Sequence, residues 1–348
     1  MLSACLKPLI VVLLAGVAAS AQVVYGLQKL VDKSDVVANI TVISTVQVGA
    51  GAVTLHGYTY QTRRRQATFR VNCAIKGKLS VSELTVPYVL LYSPGGWGGG
   101  VPEGYSIGDP LTPGSSKLIF LKRMRTEYEF TNGSYLGMVV ASDCGCTASA
   151  NPFASTVSSV IRVLFSRSAS EQERTEALFQ LGATDEPSIV AELKRFMSVE
   201  PAYSTLYMRA VTAILAHQDL SVANQASALL DHIPQYNEAV VNLLFAVGGA
   251  LPPWRAVPIL RKGFASPAAM VRSSAAQALY QTDSQLAIPA LLTDLEDPDP
   301  GTAFAVMQGL GNLTKQYEWR PKTTEANADW FRCLSHWREF RQDWKPAR

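Results

Sequence analysis

The sequence has few of the residues from which most enzyme active sites are built. Its four histidines, His56, His217, His232 and His336, are scattered without the spacing of a metal site. A Gly-x-Ser-x-Gly nucleophile elbow, a His-Glu-x-x-His helix, a phosphate-binding loop and a dinucleotide-binding fingerprint are all missing. An enzymatic function therefore has no recognisable catalytic residues, and the sequence predicts neither a cofactor nor a metal.

An excess of charge of either sign is also lacking. The 348 residues include 31 basic and 28 acidic ones, which gives a formal net charge of +3. This balance offers no electrostatic basis for binding nucleic acid or an anionic membrane surface. Five cysteines are too few for a disulfide-dense scaffold in a chain of this length, so we expect packing to hold the fold together.

The first 21 residues have the three parts of a secretory signal peptide. Lys7 precedes the apolar run 9–18, and Ala19-Ser20-Ala21 is a small-x-small cleavage site. The apolar run is too short to span a bilayer comfortably, and no second span follows it. The sequence therefore predicts a secreted or periplasmic protein that starts at Gln22 after cleavage and has no membrane span.

The segment 22–150 has the composition of a β-rich domain. Residues 36–48 are mostly β-branched, as in a buried strand. Further strands are predicted at 67–75, 84–91, 117–123, 128–130 and 136–140. Asn132-Gly133, between strand-like runs, is the clearest hairpin signal in the chain. This pattern predicts an antiparallel barrel or sandwich.

Two short phrases in this segment carry a family resemblance. Phe69-Arg70-Val71 leads to Ile75-Lys76-Gly77, and a later strand contains Leu118-Ile119-Phe120-Leu121. These phrases resemble the netrin and metalloproteinase-inhibitor class of OB-type β-barrels in exported bacterial proteins. The resemblance implies an OB/NTR-like barrel, with a plain antiparallel sandwich as the alternative. Inhibitors of that class chelate zinc with an N-terminal cysteine, which a chain starting at Gln22 does not have.

A helical phrase occurs twice in the second half of the chain. Ala256-Val257-Pro258-Ile259-Leu260 and Ala287-Ile288-Pro289-Ala290-Leu291 lie 31 positions apart. A fixed period of this size is typical of a stacked helical solenoid. Helix pairs are predicted at 171–181 with 187–197, 206–216 with 222–230, 239–247 with 254–264, and 270–280 with 286–295, followed by a single helix at 302–313.

The last complete pair resembles HEAT repeats. The residues that carry the resemblance are Pro267, Val271-Arg272, Ala275-Ala276, Leu279 and Ile288-Pro289. Small alanines let neighbouring helices approach closely, and each proline stands near a helix start, where its missing N–H costs little. The resemblance implies a HEAT-like α-solenoid over 157–313, preceded by a connector at 147–155.

The segment 314–348 is predicted as a linker and a capping helix. Trp330, Trp337 and Trp344 fall seven apart, on one face of a helix. Because the helix at 302–313 lacks an obvious partner, the Trp-rich helix would cover its apolar side and close the solenoid. The alternative is an aromatic binding patch.

Three cysteines form the one chemically suggestive cluster. Export favours a disulfide between Cys73 and either Cys144 or Cys146. Closely spaced thiols also serve redox exchange or metal binding, but zinc needs four ligands, and Cys73 is the only obvious third. A structural disulfide is the preferred interpretation, and a thiol or metal site is the alternative.

Two further features are candidates for recognition. Arg63-Arg64-Arg65 could bind a phosphate or an acidic surface, or it forms a solvated loop between two strands. Trp97 stands in the glycine-rich stretch 95–100, where a large aromatic residue either forms a recognition tip or packs into its own domain.

The sequence as a whole predicts a β-barrel or sandwich followed by an α-solenoid with a Trp-rich capping helix. The predicted function is that of an exported, non-enzymatic scaffold whose unknown protein partner lies in the envelope or outside the cell. The alternatives are a thiol/disulfide or metal-binding protein that uses Cys73, Cys144 and Cys146, and an unrecognised envelope enzyme.

Overall fold

The computed structural model describes residues 26–55, 58–92, 111–125, 127–131, 138–141, 150–232 and 238–344. The chain divides into two compact units between Asp185 and Glu186. The first unit contains an antiparallel sheet with helices, and the second is helical. The fold is therefore a mixed α and β architecture with a helical C-terminal part, as the sequence predicts. The predicted HEAT-like segment 157–313 extends over both units.

The six described strands fall where the sequence predicts strands. They are β1 Val36–Leu55, β2 Tyr58–Lys76, β3 Glu83–Tyr92, β4 Ser116–Arg123, β5 Tyr128–Phe130 and β6 Met138–Val140. Strands β1 and β2 are much longer than predicted, because the two pair with each other as far as Leu55 and Tyr58. They form a long two-stranded ribbon, and β3 runs along the other edge of β2.

The strand order is β3-β2-β1-β4-β5, and all pairs are antiparallel. The edge strands β3 and β5 come close to each other, and Phe69 on β2 makes an edge-to-face contact with Phe130 on β5, with ring centroids 6.2 Å apart. The described residues show no ladder of hydrogen bonds between β3 and β5, so this part of the sheet is curled but open. Barrel closure is not observed in it.

The hairpin predicted at Asn132-Gly133 lies outside the described residues, which omit 132–137. Strand β5 pairs with Leu121 to Arg123 of β4, and β6 pairs with Lys117 to Ile119 of the same strand. Both are antiparallel to β4, so β5 and β6 run in the same direction, one after the other. Among the described residues, β4 is the common partner of both strands.

The inner face of the curled sheet holds an apolar core. Ile40, Val42, Phe69, Ile119 and Leu121 are buried together there, along with residues of β3 and β5. Successive side chains of a strand point to opposite faces, so this cluster takes alternate positions on β1, β2 and β4. The sequence pattern thus fixes which side of each strand faces the core.

Three helices of the first unit pack on its sheet. They are α1 Leu27–Lys33, α2 Pro152–Phe165 and α3 Glu171–Gly182. Helix α1 contacts β4, α2 contacts β2 and β6, and α3 contacts β6. Leu118 and Phe120, on the outer face of β4, are fully buried. Helix α1 was not predicted, and α2 begins inside the predicted connector 147–155, where the Asn151 side chain accepts a hydrogen bond from the Ala154 N–H.

The turn after β2 depends on a glycine. Gly77 has φ +72°, and a Cβ at this position would clash with the carbonyl oxygen of Asp35. Only glycine tolerates both the backbone conformation and the close approach. Strand β2 therefore ends at Lys76, and Lys76 also donates a 2.7 Å hydrogen bond to the Val31 carbonyl of α1.

The helices of the second unit occur close to the predicted positions. They are α4 Ser188–Val199, α5 Thr205–Ala216, α6 Ala223–Asp231, α7 Glu238–Ala250, α8 Pro253–Arg261, α9 Ala269–Gln281, α10 Ile288–Thr293, α11 Pro300–Thr314 and α12 Ala328–Asp343. Helices α5, α7, α9 and α11 contact one another in succession and form a first layer. Helices α6, α8 and α10 pack beside them, and α6 contacts α8, so they form a second layer.

Small residues bring the first-layer helices close together. A Cβ at Gly248 of α7 would lie 2.8 Å from the Ala278 carbonyl oxygen of α9. A Cβ at Gly309 of α11 would lie 3.1 Å from a methyl group of Leu291 and 3.2 Å from the Cβ of Tyr280. These glycines and the buried alanines of α9 agree with the prediction that small side chains permit close helix packing.

Candidate interaction surfaces

The arginine run lies in a strand and not in a loop. Arg63, Arg64 and Arg65 belong to β2, where they pair with Ala50, Gly49 and Gln47 of β1. On the other edge of β2 they pair with Leu90, Val89 and Tyr88 of β3. The loop interpretation is wrong, because the ladders on both sides of β2 continue through the run. Binding of a phosphate or an acidic surface by these residues stays a prediction.

The alternation of the strand places these arginines on two faces. Arg65 is half-buried on the core side, and its guanidinium donates a 3.0 Å hydrogen bond to the Thr45 hydroxyl. Arg64 is exposed on the outer side, opposite Gly49. A Cβ at Gly49 would lie 3.9 Å from both Cβ and Cδ of Arg64. The stem of Arg64 therefore runs alongside β1 where β1 has no side chain.

Several other predicted site residues lie outside the described residues. These are Trp97, Cys144 and Cys146. Cys73 is half-buried in β2, in register with Asn39 of β1. Its pairing with Cys144 or Cys146 and the role of Trp97 therefore stay predictions. Cys333 is a free, buried thiol on α12, and burial raises its pKa.

The described histidines are far apart in the chain and have different surroundings. His217 follows α5, and the His232 ring contacts the Tyr203 ring at a tilt of 39°, with ring centroids 4.5 Å apart. His336 lies on α12, and His56 is outside the described residues. Within the described ranges, no group of three or more His, Cys, Asp or Glu side chains is arranged to hold a metal ion.

Helix α12 buries both of its tryptophans, and Trp344 follows its last residue. Trp330 and Trp337 are buried, and the indole N–H of Trp337 donates a 2.8 Å hydrogen bond to the Trp319 carbonyl. The Trp319 ring stacks on His336 at 4.1 Å. Helix α12 also contacts α11 and the 3₁₀ turn Tyr317–Trp319. This packing favours the cap over the aromatic patch, since the two central indoles are not available to a partner.

His336 is enclosed by this aromatic cluster. Its Nε2 lies 2.8 Å from the Gln316 side-chain oxygen, and its ring meets Trp337 edge-on. Burial lowers the pKa of His336, because the cluster disfavours the charged imidazolium. The ring is therefore a packing element of the tail.

Two large apolar side chains are exposed at the starts of second-layer helices. Trp254, in the first turn of α8, is 69% exposed, and Leu286, in the 3₁₀ turn Gln285–Ala287 that leads into α10, is 56% exposed. Helix α8 contacts this turn. The exposure of Trp254 and Leu286 was not predicted. The signal for it is the repeated phrase, whose buried first residues Ala256 and Ala287 come shortly after Trp254 and Leu286 in the chain.

Polar contacts tie the second layer together at the same spacing as the repeat. Arg255 donates to the Asn224 side-chain oxygen at 3.4 Å across 31 residues. Lys262 lies 2.6 Å from the Asp231 carboxylate, also across 31 residues, and 2.7 Å from the Ser227 hydroxyl. Arg255 of α8 and Lys262, the residue after α8, are therefore both held to α6.

A second kind of ion pair recurs at a spacing of 25 residues. Lys194 lies 2.7 Å from Asp219, and Arg272 makes two bonds to Asp297, at 2.6 and 2.9 Å. The hydrogen bond from Lys194, helped by the Ser221 N–H, lowers the pKa of Asp219 to about 2. These ion pairs fix the loop between α5 and α6 and the loop between α10 and α11.

None of the described helices is long and apolar enough to cross a bilayer. In comparisons with known proteins, no family model matches the chain, and no curated protein matches it.

Proposed function

We propose that this protein is an exported, non-catalytic scaffold for protein–protein interaction. In this proposal the sheet of the first unit is an OB/NTR-like barrel, and the helix pairs form a HEAT-like solenoid that ends at α12. The successive contacts of α5, α7, α9 and α11 support the solenoid, because each first-layer helix depends on its neighbours to bury its apolar face. The partner would be a protein of the envelope or the extracellular space.

The exposure of Trp254, together with that of Leu286, is the observation that carries the proposal. An indole that is 69% exposed leaves a large apolar area in water, and tryptophan is the residue type most enriched among interface hot spots. The polar contacts of Arg255 and Lys262 hold the underlying helix in place. A rigid backbone that presents a large aromatic side chain binds with little loss of conformational entropy.

The proposed export rests on the leader predicted at residues 1–21, and it implies a disulfide from Cys73 to Cys144 or Cys146. In an oxidising compartment such a bond would tie the end of the β-rich segment to its long middle strand. A thiol exchange or metal role for these cysteines would instead require accessible reduced thiols.

Capture from an envelope fraction tests the proposal. The purified parent chain, Trp254→Ala and Phe331→Ala would be immobilised in equal amounts, and the retained proteins compared by mass spectrometry. Phe331 is a matched control, because it is also a large exposed apolar residue of the second unit, at 59% exposure. We expect a defined set of proteins on the parent and on Phe331→Ala that is depleted at least about tenfold on Trp254→Ala.

A retained set that is identical on all three baits would contradict the role of Trp254. If the parent retained nothing beyond an inert control protein, the scaffold function itself would be refuted. The melting temperature of each variant would be measured first, because Trp254→Ala removes an exposed side chain and should leave stability within about 0.5 kcal/mol of the parent.

A further inference from the structure

The ribbon of β1 and β2 carries charge of one sign only. Strand β1 has no ionisable side chain over its 20 residues, and β2 has no acidic residue between Tyr58 and Phe69. The cross-strand neighbours of Arg63, Arg64 and Arg65 are glycine, alanine, glutamine, tyrosine, leucine and valine. The strands therefore place no carboxylate directly opposite Arg64.

Arg64 lies exposed on the outer face of this ribbon. Its stem runs alongside Gly49, and its guanidinium belongs to an exposed side chain. Val46, opposite Gln66, is 56% exposed on this face, and Val48, in the β-bulge between Gln47 and Gly49, is 53% exposed. The ribbon thus combines a planar cation with exposed apolar side chains at a β-bulge, and Gln66 adds a polar group next to Val46.

This combination selects one chemical class of partner. A guanidinium forms bidentate hydrogen bonds with a carboxylate, and arginine is enriched in protein interfaces whose centres are apolar. A sulfated or phosphorylated polymer would pair with Arg64 but would leave both valines in contact with water. The whole chain has a net charge of only +3, so binding by general electrostatic attraction would be weak, and a local match is required.

We infer that the outer face around Arg64, Val46 and Val48 binds an extended acidic polypeptide segment in which carboxylates alternate with apolar side chains. The segment belongs to a partner protein, so this inference names the chemistry of one surface of the proposed scaffold and rests on that function. Arg64 pairs with a carboxylate, and the valines contact the neighbouring apolar side chains.

Fluorescence anisotropy with the full-length chain tests the inference. The probe is a labelled ten-residue peptide of alternating glutamate and valine, and the comparison probes are alternating glutamate and serine, alternating lysine and valine, and a heparin fragment. We expect the glutamate–valine peptide to bind most tightly. Its affinity should fall about tenfold with Arg64→Gln and about threefold with Val46→Ser, while Arg167→Gln should leave it unchanged. Arg167 is an exposed arginine in the loop between α2 and α3.

A second variant tests the site by placing a carboxylate of the chain itself beside Arg64. A Cβ at Gly49 would be in ordinary van der Waals contact with Arg64, so Gly49→Asp places a carboxylate beside the guanidinium without a clash. We expect this variant to lose peptide binding, and Gly49→Ser to lose it only in part. Variants with a far-ultraviolet circular dichroism spectrum like that of the parent would enter the comparison.

Three results would overturn the inference: no binding of the glutamate–valine peptide, tighter binding of heparin than of the peptide, or an equal loss with Arg64→Gln and Arg167→Gln. The peptide assay does not depend on Trp254. If Trp254→Ala lost its captured proteins and still bound the peptide, both proposals would stand. If the parent chain captured no protein and still bound the peptide, the proposed scaffold function would be refuted, and the outer face would remain a peptide-binding surface.

Discussion

The indole N–H of Trp337 donates a 2.8 Å hydrogen bond to the main-chain carbonyl of Trp319. Trp337 is fully buried, so this bond satisfies a polar group that would otherwise be enclosed without a partner. Trp319 in turn stacks on His336, one residue before Trp337. Helix α12 is thereby attached to the 3₁₀ turn that follows α11.

Replacing this indole should destabilise the second unit. We expect Trp337→Ala to lower its free energy of unfolding by about 3–5 kcal/mol, through lost burial and an unfilled cavity. Phe331→Ala, on the exposed side of the same helix, should change it by less than about 0.5 kcal/mol. Thermal unfolding followed by circular dichroism measures both. A Trp337→Ala protein that melts like the parent but no longer captures its partner would support the aromatic-patch interpretation instead.

Two adjacent glycines in α7 should respond in opposite ways to the same substitution. Gly249→Ala should stabilise the protein by about 0.5–1 kcal/mol, because alanine favours the helix and nothing lies within 4 Å of the added carbon. Gly248→Ala should destabilise it by about 1–3 kcal/mol, because the added carbon would lie 2.8 Å from the Ala278 carbonyl oxygen. Urea unfolding of the two variants gives the comparison. Equal stabilities would show that α7 and α9 do not pack this closely.

The Lys194–Asp219 pair predicts a pH dependence in the acid range. The pKa of Asp219 is lowered to about 2 in the folded protein, from an ordinary value of 3.8. The stabilisation that the ionised Asp219 contributes is therefore complete above about pH 4 and is lost as the pH falls toward 2. Because the Lys194 side chain is 43% exposed, we expect at most about 1 kcal/mol from the pair.

Asp219→Asn is the variant that isolates this charge, since asparagine still accepts the Ser221 N–H. It should be less stable than the parent at pH 6, and the difference should vanish near pH 2. A difference that persisted unchanged to pH 2 would assign the effect to packing and not to ionisation.

The cysteines should differ sharply in reactivity. We expect peptide mapping without reduction to find Cys73 linked to Cys144 or Cys146, in protein secreted through an oxidising compartment. Cys333 should react with a maleimide only after unfolding, because it is completely buried and its pKa is raised. Recovery of Cys73 as a free thiol in the folded protein would contradict the disulfide and reopen the thiol or metal alternative.

Much of the secondary structure follows from residue periodicity. In α3, predicted at 171–181, the apolar residues Ala177, Leu178 and Leu181 are all buried. In α4, predicted at 187–197, Ile189, Leu193 and Phe196 are buried, and Val190 is half-buried. A helix face repeats every 3.6 residues, so apolar spacing within one element determines which side packs. This information is local and can be read from one sequence.

Pairing between distant strands was not predictable in the same way. Strands β5 and β6 both pair with β4, a partner that the local sequence does not specify. Three consecutive arginines suggest a solvated loop, yet the ladders to β1 and β3 extend β2 through them. Exposure of Trp254 depends on how α8 packs on its neighbours. Each of these features is decided by tertiary contacts.

The succession of contacts along α5, α7, α9 and α11 limits how the length of this chain can change. Each first-layer helix touches the one before and the one after, and the polar contacts from α6 to α8 span 31 residues. Adding or removing a single residue inside a helix would turn its apolar face away from both neighbours. Inserting or deleting a whole pair would recreate the same interfaces, so the second unit can change in length most readily in steps of about one repeat.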